Sequence, residues 1–111
     1  MEKMRSKYAK FFGPGHPFWS KNYSENIMFL KTYEIYCNQL LICDRCMIGG
    51  WLRLGEVYKI LGFKDHAKDY IVGYKSPGGI VAFDIEEVEG EGFWIDFNNL
   101  EVIDDSIQAL N

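Results

Sequence analysis

SENIMFLKTYEIYCNQLLICDRCMIGGWLRLGEVYKILG, residues 24–62, decides how the rest of the chain is arranged. Its first half, Ser24 to Asp44, has no Gly or Pro and predicts one long helix, with Ser24 as N-cap and Glu25 in the first turn beside the positive helix end. Leu30, Tyr33, Cys37, Leu40 and Leu41 fall at helical spacing on one face, whereas Met28, Ile35 and Ile42 recur every seven residues on another. A helix apolar on two faces needs two things to pack against. One is the domain's own sheet; the other is the N-terminal segment or another chain. After a Cys-containing turn, Leu54, Val57, Ile60 and Leu61 mark a short second helix, with Gly55 near its start as a cap and Gly62 as its left-handed stop.

Beyond Gly62 the period changes from helical to alternating. Tyr70–Tyr74, Ile80–Ile85, Phe93–Phe97 and Glu101–Ile103 read as strands; Lys75 to Gly79 reads as a turn that reverses the first, and the acidic stretch from Glu86 to Gly92 as a loop. The expected fold is therefore α+β: a long buried helix and a short second helix on a small antiparallel meander of three to four strands. At 111 residues, 48% apolar and 16% aromatic, the chain reads as one domain with a real core. Residues 1–23 form a basic, aromatic arm, 24–62 the helical part, 70–103 the sheet and 104–111 a loosely held tail. The arm breaks at Gly13 to Pro17, and Phe18, Trp19 and Tyr23 are expected to fold back on the second stripe of the long helix rather than to lie on phosphates.

The net charge is −4, and its layout says more than its total. All 12 Lys and Arg lie in residues 1–75 against seven acids, a balance of +5, while residues 76–111 hold nine acids and no base, −9. Asp84, Glu86, Glu87, Glu89 and Glu91 head an acidic surface suited to a basic partner; a merely solvated face is the alternative. The acidity, with a pI near 5.1, makes nucleic acid an unfavoured partner. A winged-helix reading also stalls after Gly62, where the recognition helix should begin. No apolar run approaches the ~18 residues that a membrane span needs, and the N-terminus has no secretory core, so a cytoplasmic protein without membrane contact is expected.

Three cysteines, Cys37, Cys43 and Cys46, are the weak metal candidates. Zinc would want two clean pairs, and Cys37 sits on the apolar stripe, so packed thiols are the default and no cofactor is expected. There is no phosphate loop, nucleophile elbow or His-Glu-x-x-His pair, and His16, His66 and Cys46 form no evident catalytic set. The expectation is a non-enzymatic protein. Trp19, Met28, Ile35, Ile42, Trp51 and Tyr58 are candidates for a dimer seam or a small-ligand pocket that could stack a nucleotide.

From about residue 26 to 103 the order of motifs resembles a family of small uncharacterised proteins from gut Gram-positive bacteria, their phages and other mobile elements. Leu54 to Gly62 is similar to that family's L-N-E-V-Y-x-x-L-G, Val72-Gly73-Tyr74 to its V-G-W, Val81 to Ile85 to its V-D-F-G-I, and Ile95 to Asn98 with Ile103 to its L-D-F-N-x-D-G-x-I. Gly55 replaces the capping Asn, Tyr74 the Trp, and Leu100-Glu101 the Asp-Gly turn. The resemblance implies origin and fold but supplies no activity or site residue. With the charge layout, it suggests a phage or mobile-element module that engages a host protein, such as an inhibitor of a host defence protein, and that could pair as a homodimer.

Overall fold

The computed structural model describes residues 5–43 and 48–103, the side chain of Ile48 excepted. Helix α1 (Tyr23–Ile42) begins two residues earlier than Ser24 would place its cap. Asn22 is the N-cap: its Oδ1 accepts from the Ser24 backbone N–H at 3.2 Å and from Ser24 Oγ at 2.8 Å, so Ser24 is itself capped. Leu30, Cys37 and Leu41 are buried on the inner face, as the first stripe requires. Asn26 is buried too, and both its side-chain groups bond the Ser20 backbone, fastening the entering loop to the helix. Cys43 caps the C-terminal end; Asp44, where the helix was expected to stop, lies outside the described residues.

Helix α2 (Leu54–Leu61) buries Leu54, Val57, Tyr58 and Leu61. Gly62 has φ 82°, its N–H bonds Lys59 O, and Phe63 N–H bonds Tyr58 O at 2.8 Å, which is the left-handed stop read from the sequence. Gly55 is not the cap. Arg53 occupies that position, with its N–H on Glu56 Oε2 at 3.0 Å, and a Cβ at Gly55 would stand 2.3 Å from the Tyr70 ring. Glycine is there so that the ring can pack.

The fold is α+β, but its strands make two small antiparallel sheets rather than one meander. One has the order β1 (Lys10–Phe12), β5 (Gly92–Asn98), β4 (Ala82–Val88); the other has β2 (Trp51–Arg53), β3 (Val72–Lys75), β6 (Glu101–Val102). Both edges of β3 are taken by β2 and β6, so the turn after Lys75 cannot fold β4 onto it. Instead Ser76 bonds Gly50 O and Leu41 O, and the chain crosses to the other sheet. Tyr70 ends a short 3-10 turn (Ala67–Tyr70) rather than starting a strand, and β4 continues through Glu86, Glu87 and Val88, where the sequence predicts a loop.

The N-terminal segment is not a free arm. Lys10–Phe12 pairs with β5, putting Phe12 in the core beside Phe29 (5.4 Å, stacked) and Trp19 (5.4 Å). Phe18, Trp19 and Tyr23 pack on Phe29 and Phe93, not on the second stripe of α1. Met28, Ile35 and Ile42 are consequently 67%, 59% and 80% exposed. Among the described residues, no helix is long and apolar enough to cross a membrane.

Candidate functional site

Strand alternation divides the acidic stretch. Phe93, Ile95 and Phe97 point into the core, so Trp94 and Asp96 point out. Pairing sets Asp84 opposite Asp96, Glu86 opposite Trp94, and Phe11 opposite Trp94 on the other side, giving one outer face. Phe11 and Trp94 meet edge to face at 5.2 Å. Two carboxylates directly opposed across a sheet are mutually repulsive, so this face favours cations.

The chain supplies one itself. The Arg5 guanidinium lies 4.7 Å above the centre of the Trp94 ring and is ion-paired to Glu86, with both side chains about one-third exposed. Next to it, Ser6 donates its backbone N–H (2.8 Å) and hydroxyl (2.5 Å) to the two oxygens of Asp96. Arg5, Asp84, Glu86, Trp94 and Asp96 line a shallow hollow. A wider, open groove lined by Phe11, Pro14, Val88, Gly90, Glu91 and Trp94 continues from it, with Trp94 as the shared wall. An indole face next to carboxylates is suited to binding a guanidinium.

Of the five acids expected to act together, Asp84 and Glu86 lie on this face and Glu91 lines the groove. Glu87 alternates to the other side, where with Glu89 it adjoins Tyr23. The Tyr23 hydroxyl is raised above its ordinary pKa, first by partial burial and then by those carboxylates. Arg5, Ser6 and Phe11 were not among the expected site residues. The outward phase of Trp94 and Asp96 was readable from the alternation, whereas Arg5 meets Glu86 across 81 positions and left no local signal.

The residues expected at a seam do not converge. Tyr58 is buried and donates its hydroxyl to Tyr8 O at 2.5 Å; Trp19 packs on Phe12 and Phe93; Trp51 sits in β2 opposite Lys75. Only Met28, Ile35 and Ile42 remain as an outward stripe. Cys37 is fully buried, its thiol pushed up to about 12 by burial and then by Glu34. Cys43 caps α1, and Cys46 lies outside the described residues. Among the described residues no three His, Cys, Asp or Glu side chains come together as a metal site. His16 is boxed by Phe12 (4.7 Å), Phe63 (4.8 Å) and Phe18 (5.4 Å), with Nδ1 accepting from Phe18 N–H at 3.0 Å. Its Nε2 is buried without a well-aligned partner among the described residues; the Leu61 carbonyl favours the charged ring, but burial outweighs it and lowers the pKa. Residues 63–66, between Gly62 and the 3-10 turn at Ala67, form neither helix nor strand, so a recognition helix does not follow α2. The chain matches no protein-family model, no curated protein and no solved structure.

Proposed function

We propose that this chain is a non-enzymatic, cytoplasmic binding module whose outer β-face takes a basic segment of a partner protein. The observation that carries the reading is Arg5, stacked on Trp94 and ion-paired to Glu86 beside the opposed Asp84 and Asp96. A guanidinium from the same chain already uses the contacts that a partner's arginine would use. The sequence resemblance to phage and mobile-element proteins makes a host protein the natural partner, and interference with a host defence protein the natural consequence. The exposed stripe Met28, Ile35 and Ile42 supports a separate surface for a second copy of this chain.

The test is a fluorescence-anisotropy titration of a labelled arginine-rich peptide. Arg5→Ala should bind more tightly than the parent, because the resident guanidinium is gone. Glu86→Gln with Asp84→Asn should lose about 1–3 kcal/mol of binding and most of its salt dependence. Equal, weak binding by all three proteins would refute the proposal.

A further inference from the structure

Strand β4 is one of the two outer strands of its sheet, and α1 side chains bond only one end of it. Val81 N–H donates to Asn38 Oδ1 and Asn38 Nδ2 donates to Val81 O, both at 2.9 Å; Phe83 N–H donates to Glu34 Oε2 at 2.6 Å. These helix side chains bond the outward backbone groups of Phe83 in β4 and of Val81 just before it, as a neighbouring strand would. Because Phe83 N–H points away from β5, alternation along the strand turns the N–H and C=O of Ile85 and Glu87 the same way. No hydrogen bond from a described residue reaches those outward groups. Among the described residues, Glu34 and Asn38 close half of the edge and nothing closes the other half, which leaves it suited to strand addition.

The charges say what can fill the open half. Two copies paired edge to edge about the middle of this half would set Glu86 directly opposite Glu86 of the other chain, which like-charge repulsion opposes. An incoming strand with arginines would instead place alternate side chains toward Asp84, Glu86 and Trp94, in the manner of Arg5. We infer that the Ile85–Glu87 half of β4 is a docking edge to which an extended, arginine-rich segment of a partner protein adds as a further strand. This rests on the reading of the outer face as a surface for basic partners, and adds to it a main-chain mode of recognition.

The probe is an end-blocked eight-residue peptide of alternating Arg and Thr, compared with the same peptide N-methylated at every residue. Charge and side chains are the same, but the residues of the second peptide have no backbone N–H to donate. Binding is followed by anisotropy, and amide hydrogen exchange at Ile85 and Glu87 by NMR. The first peptide should slow both amides by about tenfold or more, and the methylated peptide should bind about tenfold more weakly without protecting them. Equal binding of the two peptides, with Ile85 and Glu87 exchanging as in the free protein, would overturn strand addition and leave the charged face standing. Failure of both peptides to bind would overturn the proposed function and this inference with it. A Glu87→Pro variant, which removes an outward N–H and no bond to β5, should reproduce the loss from the protein side.

Discussion

The Tyr74 hydroxyl is buried in the core with no hydrogen-bond partner among the described residues, and burial, with Cys37 next in effect, holds its pKa above the ordinary tyrosine value. A buried polar group without a partner costs about 1–3 kcal/mol, so Tyr74→Phe should remove that cost while leaving only a void one oxygen in size. The net expectation is a stabilisation of about 1 kcal/mol. In a domain of this size that corresponds to a rise in Tm of about 4 °C. Tyr58→Phe is the matched control: its hydroxyl donates to Tyr8 O, so the same chemical change should destabilise by about 1 kcal/mol and leave a carbonyl unsatisfied. Urea denaturation of the two variants, with slopes compared against the parent, gives both numbers under one condition. A Tyr74→Phe protein less stable than the parent by more than about 0.5 kcal/mol would mean that the hydroxyl has a hydrogen-bond partner, and would refute the reasoning.

Other outcomes follow from the same physics. The lowered pKa of His16 means that the unfolded chain binds the proton more readily than the folded one; the stability due to its neutral form is complete above the unfolded value of about 6.5 and is lost as pH falls from there through the folded value. Urea melts at pH 7.5 and 5 should therefore differ less in His16→Asn than in the parent. Cys37, buried with its thiol pushed up to about 12, should label with iodoacetamide at pH 8 only as fast as the protein unfolds, while half-exposed Cys43 labels in the native state; peptide mapping distinguishes them. Ile35→Glu, on the exposed stripe, should change stability by less than about 0.5 kcal/mol and yet abolish any self-association seen by sedimentation velocity. An unchanged dimer would remove α1 as its seam.

The helices were legible because their signals are local. The spacing of Leu30, Cys37 and Leu41 and the stop at Gly62 each act within a few residues. Asn22 and Ser24 are both good caps two positions apart, and the sequence alone did not show which would cap the other. Strand partners were not legible, because pairing is decided across the chain: β3 is claimed by residues 51–53 and 101–102, and β5 by residues 10–12. The acidic run read as one surface because charge is counted along the chain, but the pleat sends Glu86 and Glu87 to opposite sides. Gly55 read as a cap from its place near a helix start, and only the Tyr70 ring, fifteen residues on, explains it.

We propose the outer face of β4 and β5, with Trp94 at its middle, as the surface that takes a basic partner. The direct test is a ¹⁵N-edited NMR titration of the Arg5→Ala protein with the alternating Arg and Thr peptide. Shifts should concentrate on the Trp94 indole N–H and the amides of Asp84 to Glu87. Shifts confined to Met28, Ile35 and Ile42 on α1, or none at saturating peptide, would contradict the account.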